Sequence, residues 1–159
     1  MKRLTVLRHP RYGRETMNVN RILSLKGRDV ATIEPERTLS EAARILSERR
    51  IGALLIMDGR KPIAGIISER DIVRAVATHG AGALDEPVSR FMTEKVTTCT
   101  GHTSIHDVME LMTQQKFRHL PVVEGGRLAG IVSIGDVVKL RLEEVEAEAQ
   151  AIKEYIATA

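Results

Sequence analysis

Two segments of the chain, 65 positions apart, share one pattern of residues. Residues 65–73 read GIISERDIV and residues 130–138 read GIVSIGDVV. Each copy is an apolar run typical of a buried strand. The run ends at a serine, and an aspartate follows three residues later. A serine with an acid three residues on is also typical of a helix start. A chain that carries this pattern twice is expected to fold into two units of the same kind.

The correspondence between the two copies extends toward the amino terminus with an offset of 66 residues. Residues 38–46 (TLSEAARIL) match residues 104–112 (SIHDVMELM) in their polar and apolar positions. The offset changes by one residue within two glycine-containing segments, 58–62 and 124–127, that are typical of hairpin turns. Because a unit of about 60 residues is only marginally stable alone, we expect the two units to pack into one closed pair.

Each unit is expected to contain the order strand, helix, strand, strand, helix. The first helix begins after Thr38 in one unit and after Ser104 in the other, and both residues are typical N-caps. Glu41 completes a capping box with Thr38, whereas Asp107 makes a weaker version of it with Ser104. The predicted strands are 30–33, 53–57 and 62–67 in repeat one, and 96–99, 120–123 and 128–133 in repeat two.

The fold class is therefore α/β (α+β), with two β-α-β-β-α repeats packed as a pseudo-twofold pair and followed by a carboxyl-terminal helix. The predicted boundaries are 17–79 for repeat one, 80–87 for a linker, 88–142 for repeat two and 143–159 for the carboxyl-terminal helix.

The basic residues are concentrated at the amino terminus. The chain has a formal charge of +3, but residues 1–16 alone hold five Lys or Arg against one Glu. The remaining residues hold 19 basic and 20 acidic side chains, so their net charge is close to zero. We predict that residues 1–16 form a basic, flexible extension outside both repeats. Aromatic residues make up only 3% of the chain, which argues against the stacking platforms that bind single-stranded nucleic acid.

Residue types also disfavour several classes of protein. Cys99 is the only cysteine, so no internal disulfide can form. His79, His102 and His106 have no metal-ligand spacing with Cys99, and no metal site is expected. No apolar run reaches the length of a membrane-spanning helix, and no apolar signal core lies at the amino terminus. We therefore expect a cytoplasmic protein with no membrane segment.

The carboxyl-terminal region is expected to be a helix with an apolar seam, since no Gly or Pro follows residue 136. Apolar residues recur there at spacings of 4, 3, 4, 3 and 4, the heptad pattern of a helix–helix contact. The helix either folds back on its own unit or contacts a second copy of the chain, and we favour a homodimer. The seam residues are Val138, Leu142, Val145, Ala149, Ile152 and Ile156.

The repeats resemble CBS (cystathionine-β-synthase) domains, and together they resemble a free-standing CBS pair, or Bateman module. Residues 68–71 (SERD) and 133–136 (SIGD) match the family's Ser/Thr-x-x-Asp, with support from 49–54 (RRIGAL) and 118–122 (RHLPV). The resemblance covers about residues 18–142. It implies an adenosine-containing ligand in up to two clefts between the repeats, namely AMP, ADP, ATP or NAD(H), with S-adenosylmethionine less favoured and no catalytic cofactor.

The resemblance implies two clefts with related but unequal linings. In each, the aspartate carboxylate would accept hydrogen bonds from the ribose hydroxyls, and the serine at the helix start would favour phosphate. The alternative for each motif is a plain N-cap with a first-turn acid. The first cleft would combine Ser68, Arg70 and Asp71 with Thr98 and Phe117. The second would combine Ser133 and Asp136 with Arg118, His119, Thr32 and Ile51.

The resemblance favours a regulatory sensor, which binds an adenine nucleotide and signals its ligand state to a partner protein. No residue is predicted to be catalytic, because the serines lack a neighbouring His–Asp pair and the two aspartates belong to different repeats. The alternatives are a non-catalytic subunit or small enzyme of nucleotide metabolism, and a nucleic-acid-binding protein that acts through residues 1–16.

Overall fold

The helices and strands follow the order that the repeat predicts. The computed structural model describes residues 17–159, so the predicted basic extension lies outside the described residues. Two 3-10 helices, Ala81–Asp85 and Val88–Arg90, lie between the repeats. The other elements are α1 (Val19–Lys26), β1 (Thr32–Ile33), α2 (Leu39–Arg49), β2 (Ala53–Ile56), β3 (Gly65–Ser68), α3 (Glu69–His79), α4 (Ile105–Gln115), β4 (His119–Glu124), β5 (Arg127–Ser133) and α5 (Ile134–Thr158).

Each repeat contributes one small sheet. In repeat one, β1 pairs in parallel with β2, and β2 pairs antiparallel with β3. In repeat two, β4 and β5 form an antiparallel hairpin. Cys99 adds a single parallel bridge to Val122, in the position that β1 occupies beside β2. The predicted α/β fold with two repeats and a carboxyl-terminal helix is confirmed.

The strand predicted at 96–99 forms only this one bridge, because a residue of β4 cannot donate a hydrogen bond to it. In repeat one, the N–H of Leu55 donates to the carbonyl of Ala31 and so extends the ladder of β1. Pro121 stands at the equivalent position in repeat two and has no N–H to donate. The ladder therefore keeps only the bonds that Cys99 makes with Pro121 and Val123.

The predicted helix starts are confirmed at both repeats. Thr38 caps α2 in a capping box with Glu41. Ser104 caps α4 by accepting the N–H of Asp107 at 3.0 Å, without the reciprocal bond that Glu41 makes. The second helix of repeat two continues without a break as the 25-residue α5, so no loop separates the repeat from the carboxyl-terminal helix.

Each hydrophobic core combines one repeat with the segment that precedes the other repeat. α1 buries Val19, Ile22 and Leu23 in the core of repeat two. The segment after the linker buries Val88 in the core of repeat one and packs Met92 against it. This exchange ties the two repeats together, and it sets the position of the surfaces that face each other between them.

Glycine is required where the exchanged segments cross the strands. A Cβ at Gly130 would lie 2.7 Å from Cδ2 of Leu23, and a Cβ at Gly65 would lie 2.5 Å from Sδ of Met92. Both distances are too short for non-bonded carbon or sulfur atoms, so a side chain at either position would require Leu23 or Met92 to move. The two glycines are the first residues of the repeated motif.

Cys99 lies in the core of repeat two. Burial raises the pKa of its thiol to about 11, and a hydrogen bond with Thr103 opposes this only weakly. We expect the native chain at pH 8 to react with a disulfide reagent such as DTNB roughly 100-fold more slowly than the chain unfolded in guanidinium, because only the thiolate reacts. Stopped-flow absorbance measures both rates, and similar rates would contradict the buried position.

Candidate functional site

Both Ser-x-x-Asp motifs form capping boxes at helix starts. Oδ2 of Asp71 accepts hydrogen bonds from the N–H and the Oγ of Ser68, at 2.8 and 3.0 Å. Oδ2 of Asp136 accepts the N–H of Ser133 at 2.8 Å. The N-cap is therefore formed in both repeats, but it uses one oxygen of each carboxylate. Within residues 17–159, Oδ1 of Asp71 accepts no hydrogen bond and remains available to a ligand.

A groove of about 530 Å³ lies beside Asp71, between the two repeats. The start of α3 forms one side of it, and the end of α4 with the start of β4 forms the other. Its volume falls within the range of about 300–1,000 Å³ that is typical of small-molecule sites. We call it the Asp71 groove. Of the predicted site residues, its lining contains Ser68, Arg70, Asp71, Phe117, Arg118 and His119.

The other predicted residues lie outside this groove. Thr98 is exposed, and its neighbours Val96 and Thr97 line the groove in its place. Thr32 lies in β1, and Ile51 packs against the core of repeat one. The grouping also differs from the predicted one, because Arg118 and His119, expected in the second cleft, line the Asp71 groove.

The site beside Asp136 is occupied by an ion pair. Lys26, the last residue of α1, places its Nζ 2.7 Å from Oδ2 of Asp136. Burial raises the pKa of Asp136, but hydrogen bonds from Lys26 and Ser133 outweigh it and hold the pKa below its usual value. The cavity at this point measures about 100 Å³, well below the size that a nucleotide needs.

The lysine that corresponds to Lys26 makes no such pair. The backbone contacts of Val19 and Val88 are equivalent, which aligns α1 with the chain 69 residues later and Lys26 with Lys95. Lys95 lines the Asp71 groove, and no ion pair joins it to a carboxylate of residues 17–159. The surroundings of the two aspartates are therefore unequal, because Asp71 lies beside an open groove whereas Asp136 is paired with Lys26 beside a much smaller cavity.

His119 lies at the interface between the repeats. It pairs with Ser133 in the β4–β5 hairpin, and its ring lies so close to Gly52 that a Cβ there would be 2.8 Å from Cε1 and Nε2. Burial lowers the pKa of His119, although the carboxylate of Glu69 opposes the shift. The ring is therefore neutral at pH 7, where it can donate one hydrogen bond and accept another.

Three cations of the groove were missed by sequence reasoning: Arg74, Lys95 and Lys116. Arg74 lies one helical turn after Arg70, which the sequence predicts as a site residue. The spacing of four residues between these two arginines could have identified Arg74 as well. Lys116 ends α4 in the left-handed conformation with φ of 56°, as Arg50 ends α2 with φ of 54°. The repeat itself was the second signal, because its offset of 66 residues aligns Lys116 with Arg50.

Neither a metal cluster nor a membrane-spanning helix is found within residues 17–159. No group of three or more His, Cys, Asp or Glu side chains there has an arrangement that could hold a metal ion. No helix in the same range is both long enough and apolar enough to cross a membrane.

Two β-α-β-β-α units that exchange segments and enclose a groove define a tandem pair of small ligand-binding domains. The family model of the CBS domain matches residues 24–78 and 88–143. The chain therefore belongs to the CBS domain family, as the resemblance of its two Ser-x-x-Asp motifs predicts.

Similar proteins are CBS-domain pairs. The mitochondrial CBS domain-containing protein CBSX3 of Arabidopsis thaliana is 31% identical over 152 residues, which cover 91% of this chain and 74% of that protein. The crystal structure of the CBS-domain containing protein ATU1752 from Agrobacterium tumefaciens is 48% identical, with a TM-score of 0.76. The match covers 78% of this chain and 98% of that one.

Two further similar structures contain adenosine ligands. The CBS domain pair of MJ0100, in complex with 5′-methylthioadenosine and S-adenosyl-L-methionine, is 28% identical with a TM-score of 0.70, and the match covers 80% of this chain and 97% of that one. The structure of CBSX2 in complex with AMP is 25% identical with a TM-score of 0.62, and the match covers 72% of this chain and 89% of that one.

Proposed function

We propose that the chain is a regulatory module that binds one adenine nucleotide in the Asp71 groove. The observation that carries this proposal is the geometry of Asp71, whose Oδ2 holds the helix cap while Oδ1 remains available beside an open groove. A carboxylate oxygen is a strong acceptor for the ribose hydroxyls. The adenosine ligands of the MJ0100 and CBSX2 structures support the same ligand class.

The groove is better suited to binding than to catalysis. The hydroxyl of Ser68, its candidate nucleophile, donates to Asp71 and accepts the N–H of the same residue, so it takes part in the helix cap. A nucleophilic serine needs an adjacent base that takes its proton, with a third group to orient the base. We therefore propose a sensor that is not an enzyme, and we expect it to act in the cytoplasm.

A ligand panel tests the proposal. We expect isothermal titration calorimetry to show one site per chain for at least one of AMP, ADP, ATP, NAD⁺, NADH and S-adenosylmethionine. At a ligand concentration of about 100 times Kd, the free energy of unfolding should rise by about 2.7 kcal/mol, which thermal denaturation detects. Inorganic phosphate serves as the control for nonspecific anion binding. The absence of binding for every member of the panel would overturn the proposed function.

We further propose that two copies of the chain associate through α5. All six residues of the predicted seam are exposed, and the side chains of Leu142, Ile152 and Ile156 are 57%, 60% and 68% exposed. Every residue of 145–159 is exposed. The helix therefore extends away from its own repeat beyond Glu144. An apolar seam in this position is suited to the same seam of a second copy. In this proposal, the dimer transmits nucleotide binding in the Asp71 groove to a partner protein.

A further inference from the structure

The Asp71 groove carries a large excess of positive charge. Its lining contains five side chains that are cationic at neutral pH and two carboxylates, those of Glu69 and Asp71. His119 is neutral there because it is buried, and it adds no charge. The five cations come from both repeats: Arg70, Arg74, Lys95, Lys116 and Arg118.

None of the five cations is neutralised within the described chain. Other arginines and lysines of residues 17–159 form ion pairs, such as Arg37 with Glu41 and Arg90 with Glu86. No ion pair in the same range involves a cation of the groove. The equivalent lysine of the other cleft, Lys26, does pair with its aspartate. The groove therefore holds five cations that can pair with an anionic ligand.

The number of these cations favours some ligands of the calorimetry panel over others, because the ligands differ in negative charge. A monophosphate ester carries about −1.5 to −2 charges at pH 7, and each further phosphate of a nucleotide adds roughly one more. Two or three phosphates in a row would match the net excess of positive charge in the groove. S-adenosylmethionine has no phosphate, and its sulfonium and ammonium groups outweigh its one carboxylate, so the same cations favour it less than a polyphosphate.

We propose that the Asp71 groove selects adenosine polyphosphates, ADP and ATP, over AMP and S-adenosylmethionine. The proposal rests on the proposed function, because it assigns the ribose to Asp71. The chain of phosphates extends from the start of α3, where Arg70 and Arg74 lie one turn apart, toward the opposite side, where Lys116 ends α4. Cations on both sides of the groove bind the terminal phosphates, which AMP lacks.

The test compares AMP, ADP, ATP, S-adenosylmethionine and inorganic tripolyphosphate by calorimetry at pH 7.5. ATP is expected to bind at least tenfold more tightly than AMP, and S-adenosylmethionine more weakly than either. The advantage of ATP over AMP should shrink as salt rises from about 50 to 300 mM, since screening weakens charge–charge interactions. Tripolyphosphate alone should bind at least tenfold more weakly than ATP, because it lacks the ribose.

A variant with three charges removed tests the groove itself, and it has a charge-matched control. We expect Arg74→Gln, Lys95→Gln and Lys116→Gln together to lower ATP affinity at least 30-fold and AMP affinity less than threefold. Three exposed cations away from the groove lose the same total charge in Arg44→Gln, Arg60→Gln and Lys61→Gln. ATP affinity in this control should change less than twofold.

The outcomes separate this inference from the proposed function. Equal affinities for AMP and ATP would overturn the selectivity while leaving nucleotide binding in place. Equal losses in the groove variant and its control would also overturn it, because the effect would come from net charge alone. If tripolyphosphate bound as tightly as ATP, the groove would be a general anion site with no selectivity for the nucleoside, and the inference would be overturned. If no nucleotide binds at all, the proposed function fails first.

Discussion

Replacing Asp71 by asparagine is expected to weaken nucleotide binding by about 10- to 100-fold without unfolding the protein. The asparagine carbonyl can accept the N–H of Ser68 in place of Oδ2, so the cap of α3 is kept. The other atom becomes an NH₂ donor, which cannot accept a ribose hydroxyl. A hydrogen bond to a charged group contributes about 1.5–3 kcal/mol, which corresponds to roughly 10- to 100-fold in Kd. Calorimetry with ATP measures the loss.

The matched control is Asp136→Asn, the same change at the equivalent position of repeat two. Asp136 holds Lys26 beside a cavity of about 100 Å³, so its replacement should leave the affinity for ATP unchanged within about twofold. It should lower the free energy of unfolding by about 1 kcal/mol or less, because Lys26 and Asp136 are both partly exposed. A larger loss of binding in Asp136→Asn than in Asp71→Asn would place the nucleotide in the other cleft.

The ligand itself supplies a second control for the role of Asp71. The normal chain should bind AMP more tightly than 2′-deoxy-AMP, because the deoxy ligand lacks one of the two hydroxyls. In Asp71→Asn this preference should disappear, since the acceptor has been removed. Such a cycle isolates the contact between the carboxylate and the ribose from any general change in charge. An undiminished preference in the variant would show that Asp71 does not contact the ribose.

The sequence predicts the fold well because the repeat and the caps are local signals. The capping box of Thr38 and the weaker cap of Ser104 follow from residue types at a spacing of three. The strand expected at 96–99 from its β-branched residues is shorter in the structure, because Pro121 opposite it in β4 has no N–H to donate. Whether a short strand forms depends on its partner as well as on its own residues.

The candidate site could be predicted only in part, because its two sides come from different repeats. Ser68, Arg70 and Asp71 are consecutive or nearly so, and one motif identifies them. The ion pair of Lys26 with Asp136 depends on the exchange of α1 between the repeats, which no local pattern specifies. That one contact makes the surroundings of two similar motifs unequal.

The exposed apolar seam of α5 favours the association of two copies of the chain. The heptad spacing places Arg141 and Glu148 at positions that flank the seam, with Glu146 and Lys153 at the opposite flank. In a parallel pair of helices, a residue of the first flank lies opposite the second-flank residue that is five positions later on the other chain. Arg141 would then meet Glu146, and Glu148 would meet Lys153, so both contacts join opposite charges. This complementarity favours a second copy in parallel orientation.

We expect Val145→Glu with Ile152→Glu to convert a dimer of twice 17.6 kDa into a monomer. Each substitution places a charge in the apolar seam, where two copies would bring like charges together. Ala147→Glu with Ala151→Glu adds the same charge to the outer face of the helix, and it should leave the dimer intact. Light scattering after gel filtration measures both masses. A normal chain that is monomeric at about 100 μM would contradict the proposed assembly.

The orientation of the two helices can be tested with one engineered cysteine. In a parallel pair, Ile156 of one chain lies beside Ile156 of the other, so Ile156→Cys should form an intermolecular disulfide in air. The only natural cysteine, Cys99, is buried, and its raised pKa of about 11 keeps it out of the reaction. An antiparallel pair would separate the two engineered thiols by most of the seam, because each residue adds 1.5 Å along a helix. Cross-linking therefore distinguishes the two orientations even where both give a dimer.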